Sequence, residues 1–545
     1  MGLVRLEIVA CCWLAWAAPP AHTQASPQGE SPTIRTTVRL VEVAVIAETK
    51  QGEPVAGLTK EDFALLDEGR SEPITVFSAE TTGHRGQLAG ALPPNTFTNR
   101  FELSEDAPVA ATAILFDGLN TRIPDQAYAR QQVVEFLDRM EPGARVALYA
   151  LGRGLNVLQD FTAEPAALKQ ALAKYRGDMS QQDADSLQAE QTAGLVRFNG
   201  WVDELKLNLI DYYARDRALR TIRSLVAIAN HLERLPGRKS LVWVSGSFPV
   251  WIGRKSAPLP ERPKPGEQSF WAEIEQAARA LNRSNLAVYP VDAVGLMARE
   301  DYNPDRGSIS RDMTGFQRGG LETMQVLAER TGGRAFFNNN DLQRALRQVL
   351  ADARATYSLG FQPSHHQWDG KFREIRVRVQ RPGVRLRHRS GYFAQPPEPA
   401  DAWYRESVLS AAAWSPVDAS RLGLTVHINP RNANAWDLEL RLDPLDLSLE
   451  YSNGNWEGSL DVWFAQIGAR DRHVRTTTHV ASLRMIPAVY ERAMQTREVV
   501  LMEALELSPD TQLVRVLVRD IRTGALGSLS IPSPASSASR LDQGK

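Results

Sequence analysis

The sequence predicts an α/β domain with a doubly wound, mostly parallel sheet, flanked by an N-terminal β-region and a C-terminal Ig-like β-sandwich. Three observations predict it. Across 109–355 short apolar runs alternate with stretches of helical period, the pattern of strands joined by crossover helices. On both sides of that span the helical period gives way to alternation of period two. Finally, Asp117, Ser245 and Asp292 each close an apolar run, and open α/β sheets hold ligands beyond the carboxyl ends of their strands.

The chain starts with a segment that reads as a signal peptide, 1–25. Arg5 precedes the apolar run Ile8 to Ala18, which is shorter than the roughly 20 residues needed to span a bilayer. Pro19-Pro20 ends the run, and Thr23-Gln24-Ala25 places small residues at the positions a signal peptidase reads. The expected location is therefore secreted or periplasmic, in the cell envelope. Both cysteines, Cys11 and Cys12, lie inside this segment, so the mature chain is expected to have no disulfide.

Next, 33–80 carries short strand-like runs, with Val38 to Ile46 and Ile74 to Phe77 the strongest, and reads as a small β-domain or strand layer. Residues 82–108, with Gly, Pro and Asn in quantity, read as a linker. The α/β domain begins with Ala111 to Phe116, a near-continuous apolar run of the kind a strand buried on both faces needs. Tyr128, Val133, Phe136, Leu137 and Met140 recur at helical spacing. Val146 to Leu151 and Leu155 to Leu158 give two more strands. After a polar stretch at 176–200, a long helix runs through Leu205, Leu209, Ile222 and Leu232 and stops before Gly237. Leu241 to Val244 is the fourth strand, and Leu286 to Val291 the fifth, after a Pro-rich loop (254–268) and a helix of 269–283. A helix near 320–330, a strand Arg334 to Phe337 and a helix of 341–353, capped from Asn338 to Asp341, complete the domain.

Residues 356–393 form a β extension in which Arg alternates with apolar residues, as on a solvated sheet face. A linker and short helix (394–421) lead to the Ig-like β-sandwich of 422–532, whose strands include Leu438 to Leu442 and Leu513 to Val518. The tail, 533–545, is Ser- and Ala-rich and is expected to be disordered.

Composition excludes several function classes. In 545 residues, 63 Lys+Arg balance 64 Asp+Glu for a net charge of −1; no basic field exists to hold a phosphate backbone, so nucleic acid is not an expected partner. No segment after residue 25 reaches 18 apolar residues, so no transmembrane segment is expected once the signal is removed. Nine histidines include no His-Glu-x-x-His, the glycine pairs lack phosphate-loop spacing, and Ser245-Gly246-Ser247 lacks the first glycine of a nucleophile elbow. The chain is therefore not expected to be an enzyme.

The run Ile114-Leu115-Phe116-Asp117-Gly118-Leu119-Asn120-Thr121 is similar to the first strand and metal loop of a von Willebrand factor A-type domain. More widely, the chain resembles the VWFA-related domain family first described as secreted proteins of Acidobacteria. The phrases that carry this are Gly57-Leu58-Thr59-Lys60-Glu61-Asp62-Phe63, Gly237-Arg238-Lys239-Ser240-Leu241-Val242-Trp243-Val244-Ser245-Gly246, Tyr289-Pro290-Val291-Asp292-Ala293 and Thr331-Gly332-Gly333-Arg334-Ala335-Phe336. The resemblance implies a metal-ion-dependent adhesion site for Mg²⁺ or Mn²⁺, built from Asp-x-Ser-x-Ser, a middle-loop Thr and a fourth-strand Asp. It also implies a protein ligand that presents a carboxylate to complete the shell. Carried onto this chain, the ligands become Asp117, Thr121 and Ser245. Leu119 stands at a hydroxyl position and cannot ligate, the middle Thr has only Thr162 and Thr192 as candidates, and Ser245 replaces a carboxylate, so the site is degenerate.

In the usual strand order Asp292 lies two strand positions, roughly 10 Å, from Asp117. Asn120, Ser247, Phe248 and Asp292 complete the expected binding surface. A second role for Asp117 is open at this point, as a cap of the first helix or an organiser of the Asn120 loop. The expected function is an exported protein-interaction or adhesion module. An alternative is a metal-free structural component of an envelope assembly that binds through its β-domains; a third is a hydrolase using Asp117 or Asp292.

Overall fold

The computed structural model describes residues 40–80, 92–101, 111–140, 144–175, 200–235, 237–246, 248, 271–293, 321–337, 342–352, 356–365, 367–396, 401–432, 434–469 and 472–533. The expected signal segment 1–25, residues 176–199, the expected loop 254–268, the expected cap 338–341, Thr192, Ser247 and the residues from 534 lie outside the described residues.

At the centre is a five-stranded sheet. In spatial order its strands are Leu286–Asp292, Lys239–Ser245, Ala111–Asp117, Arg145–Leu151 and Leu155–Thr162. The first four run parallel and the last antiparallel to its neighbour. Every residue of Ala111–Asp117 and of Lys239–Ser245 is buried, because helices cover both faces. On one face Ala218, Ile222, Leu225 and Leu232 of the helix Gly200–Leu232 pack with Ile274 and Leu281 of Trp271–Arg283 and Met324 and Leu327 of a helix over 321–331. Opposite, Val133 and Phe136 of Ile123–Leu137 join Leu168 of Pro165–Lys174 and Val349 of Leu342–Asp352. The edge strand expected at Arg334 to Phe337 is reduced to a parallel bridge, Val291 to Phe336.

Two expected boundaries move. The strands Val41–Thr49, Phe63–Asp67, Arg70–Glu72 and Ile74–Glu80 do not form a layer of their own. They interleave with Thr356–Phe361, Phe372–Val379, Val384–His388 and Gly391–Phe393 of the β extension, in two four-stranded sheets. Val43, Val45, Leu65, Leu359, Phe361 and Ile375 share the core between them. The α/β domain is thus inserted into one β-sandwich, called the frame below. Likewise, 82–108 is not all linker: Thr96–Thr98 pairs with Leu424–Asn432 and completes a sheet of the C-terminal sandwich. That sandwich shares a core of Leu424, Leu440, Val462, Val516 and Ile531 between its two sheets.

Both sandwiches meet the α/β domain at the amino end of its central sheet. On the frame side, Gly332, at φ +77°, lets the backbones approach, since a Cβ there would lie 2.6 Å from the Arg389 nitrogen; the next residue, Gly333, packs within the α/β domain, where a Cβ would lie 1.9 Å from the Val288 carbonyl oxygen. On the C-terminal side, the end of the long helix docks through the bond between His231 Nδ1 and the Asp418 carbonyl (2.7 Å), and through Arg234 to Asp443 (2.7 Å).

Candidate functional site

Asp117 ends the central strand, and parallel register sets Phe116 beside Val244. Side chains alternate across a strand, so Trp243 and Ser245 share a face and both point toward Asp117. Four donor groups converge on its carboxylate. Ser245 Oγ donates to Oδ2 at 2.8 Å and Trp243 Nε1 donates to the same oxygen at 3.0 Å. The Asn120 backbone N–H reaches Oδ1 at 3.0 Å, and Asn120 Nδ2 donates to Oδ2 at 2.9 Å and more weakly to Oδ1 at 3.2 Å. Asp117 is 1% exposed. Burial pushes its carboxyl above the usual range, and the bonds from Asn120, Ser245 and Trp243 hold back part of that rise.

The surrounding loop is fixed in the same way. Asn120 Nδ2 also donates to Thr221 Oγ1 (2.9 Å) on the long helix, and Thr221 in turn donates to the Arg217 carbonyl. The Gly246 N–H donates to Thr121 Oγ1 at 2.9 Å, tying the first loop to the fourth. Gln126 Nε2 donates to the Gly118 and Thr121 carbonyls. Of the two roles open for Asp117 besides ligation, ordering the Asn120 loop is the one observed. The first helix has Arg122 at its N-cap and no side-chain cap.

This donor set does not suit Mg²⁺ or Mn²⁺. A hard dication needs free oxygen lone pairs, and both Asp117 oxygens already accept from N–H and O–H groups. Trp243 Nε1 and Asn120 Nδ2 turn their hydrogens onto the Asp117 carboxylate, and Asn120 Oδ1 is left as the one buried oxygen of these side chains without a partner. Thr121 Oγ1 is engaged by Gly246. Among the described residues no three of His, Cys, Asp and Glu form a metal-holding group. Nor does the node suit proton abstraction, since Asp117 has no oxygen left for a substrate.

The other expected site residues separate. Thr162 pairs with Val146, at the amino end of the sheet, so it cannot supply the middle-loop Thr. Asp292 pairs with Ser245 on the strand beyond it, two positions from the Asp117 strand. Asn120 and Phe248, expected on the binding surface, are 2% and 1% exposed; Phe248 packs edge-on against Trp243 at 5.9 Å. They support the edge from within. Among the described residues, Arg122, Ile123 and Arg153 face solvent there.

Trp243, Thr221 and Gln126 were missed as members of the node. Two of them leave a signal: Trp243 precedes Ser245 by two residues, and Thr221 falls on the buried helix face with Ala218 and Leu225.

No family model matches the chain, and no curated protein matches it. Among solved structures, it is similar to an aerotolerance-related membrane protein from Bacteroides fragilis NCTC 9343 carrying multiple mutations to serines (14% identity, 44% of this chain and 98% of that one, TM-score 0.24). It is also similar to the vWF domain of the type V pili tip protein Mfa5 from Porphyromonas gingivalis (12% identity, 45% and 94%, TM-score 0.26). A von Willebrand factor type A structure from Catenulispora acidiphila matches over 92% of this chain and 74% of that one, at 9% identity and TM-score 0.24. Likeness of this degree adds no weight to the strand order and the side-chain geometry.

Proposed function

We propose that this chain is an exported protein-interaction or adhesion module of VWFA-related type, whose α/β domain engages a protein ligand at the carboxyl edge of its sheet. In this reading the degenerate adhesion site has become a hydrogen-bonded node that shapes the edge without a metal. The observation that carries it is the placement of the two sandwiches. Both occupy the amino end of the central sheet, so the loops at 118–122 and 152–154, with Gly246 and Phe248, lie at the opposite pole. Ile123, 48% exposed there, and the flanking Arg122 and Arg153 would meet an apolar contact and a ligand carboxylate, the latter in place of a metal. An Ig-like type for the C-terminal sandwich fits such a module, and the N-terminal apolar segment supports export.

Envelope partners captured by the full chain test this. Joint Arg122→Ala and Arg153→Ala substitution is expected to weaken capture at least about tenfold, in line with loss of a charge-assisted contact, and chelator is expected to change nothing. Equal capture by the double variant would sink the reading. A structural role through the β-domains draws on one observation, an exposed apolar patch on the C-terminal sandwich. There Trp456 stacks on Tyr490 at 4.1 Å and lies 5.5 Å from the ring of Tyr451, and both Tyr451 and Val489 are exposed. Capture lost with Val489→Asp and kept in the arginine double variant would favour that role.

A further inference from the structure

A strand at the border of a sheet leaves a row of backbone N–H and C=O groups unpaired, and these can take up another strand. Among the described residues, nearly every such border is blunted. Arg70–Glu72, Thr96–Thr98, Gly391–Phe393 and Glu450–Ser452 are only three residues long. Ile74–Glu80, Leu155–Thr162 and His473–Met485 slip register against their neighbours. Val384–His388 carries Arg385, Arg387 and His388. Leu286–Asp292 and Leu526–Pro532 are covered on their outer sides, the first by the Phe336 bridge and the second by backbone bonds with residues 419–422.

The strand Val499–Glu506 is the exception. It borders one sheet of the C-terminal sandwich and pairs with Ala435–Leu442 alone, through all eight of its residues and in unbroken register. It contains no Lys, Arg, Pro or Gly. Leu501 and Leu505 turn toward the core, and Glu503 turns the same way, meeting His479 Nε2 at 3.0 Å. The outer face therefore carries Val500, Met502 and Ala504. All three are exposed, Val500 by 47% and Met502 by 66%. A long, uninterrupted border with an apolar outer face is the kind that another strand joins most readily.

We propose that this border is a homodimer interface, in which two copies of the chain pair Val499–Glu506 antiparallel about a twofold axis and merge their sheets. The strand is complementary to itself in one register. A twofold axis in an antiparallel pair passes between a residue and its own copy, so each register is named by its central residue. Like charges set opposite each other are destabilising. Centring on Met502 sets Glu498 against Glu506, and centring on Glu503 sets that residue against itself. Centring on Ala504 sets Met502 against Glu506, and centring on Val500 leaves only a short overlap. Centring on Leu501 avoids all of these. It places Val500 opposite Met502 on both sides of the axis, and Leu501 opposite its own copy on the core-facing side. Such an isologous pair closes on itself, so the assembly stops at two copies. The surface belongs to the C-terminal sandwich and stands independently of the reading of the edge around Asp117.

The test is sedimentation equilibrium of the full chain, from micromolar to hundreds of micromolar concentration. A monomer–dimer equilibrium is expected. Met502→Lys puts a charge into the joint and is expected to weaken association at least about tenfold. Its melting temperature in dilute solution is expected to match wild type, because the side chain is exposed in the monomer. Val500→Lys is a second variant with the same expected effect, so that misfolding of one does not decide the outcome. Val480→Lys is the control. Val480 is 52% exposed on His473–Met485, the other long border of the same sandwich, and this variant is expected to associate like wild type. A wild-type chain that stays monomeric throughout, association unchanged in the folded lysine variants of Val499–Glu506, or an equal loss in Val480→Lys would each overturn the proposal.

Discussion

At the scale of single residues, the behaviour of the edge follows from what surrounds Asp117. Its carboxylate accepts from Ser245, Trp243 and both nitrogens of Asn120. Removing it leaves several buried donors without acceptors, at about 1–3 kcal/mol each. Asp117→Ala is therefore expected to lower unfolding free energy by at least about 3 kcal/mol, read by urea denaturation. Asp117→Asn, which keeps one acceptor, is expected to lose less. The pH dependence has a definite sign. Because burial raises the folded carboxyl above its unfolded value, the folded state takes up its proton first as pH falls. The advantage from that proton is fully present below the unfolded pKa and is lost as pH rises through the raised folded pKa. The stability of the wild-type protein relative to Asp117→Asn should thus decline with rising pH through the acid range, and an increase would contradict the assignment.

At the scale of elements, the fourth strand and its following loop act as one unit. Trp243 bonds Asp117 through its indole and packs its ring edge-on against Phe248. Phe248→Ala opens a cavity beneath the edge and is expected to cost about 3–5 kcal/mol, measured by the same denaturation. Loss below about 1 kcal/mol would mean that Phe248 is not the support described. The central strands themselves were legible in the sequence, because a strand buried on both faces reads as a near-continuous apolar run, here from Ala111 to Phe116. The node was less so. Asp117 and Ser245 could be singled out by position, but their chemistry depended on Trp243 and Thr221, and a buried Trp or Thr in an apolar pattern reads as core. The frame was also hidden. Val43 pairs with Leu359 across more than 300 residues, and short alternating runs so far apart carry no sign of which partner each will take. Thr96–Thr98 is only three residues long, too short for its alternation to stand out from a Pro- and Asn-rich stretch.

At the scale of the whole molecule, the chain weaves its parts together. It passes through the frame, contributes a strand to the C-terminal sandwich, builds the α/β domain, returns to complete the frame and ends in the C-terminal sandwich. One carboxylate joins three of these segments: Asp443, fully buried, receives Arg234 at 2.7 Å, Arg497 at 2.8 Å and Arg100 at 3.5 Å. Burial pushes its carboxyl up, but Arg497, the Leu445 backbone N–H, Arg234 and Arg100 outweigh it and hold the carboxyl below the usual range. A depressed carboxyl contributes stability above its unfolded pKa and loses it as pH falls through the folded pKa. Asp443→Ala leaves the three guanidiniums facing one another and is expected to cost about 3–5 kcal/mol. In calorimetry the C-terminal sandwich is then expected to melt apart from the rest, and a single unshifted transition would contradict the joint.

The central claim is that the edge around Asp117 is held by hydrogen bonds where the resemblance implies a metal. Calorimetric titration of the full chain with Mg²⁺ and Mn²⁺ tests it most directly. At millimolar metal the expected result is no saturable heat and no change in melting temperature, with Asp117→Ala indistinguishable from wild type in its response. Saturable binding that Asp117→Ala abolishes would contradict the claim.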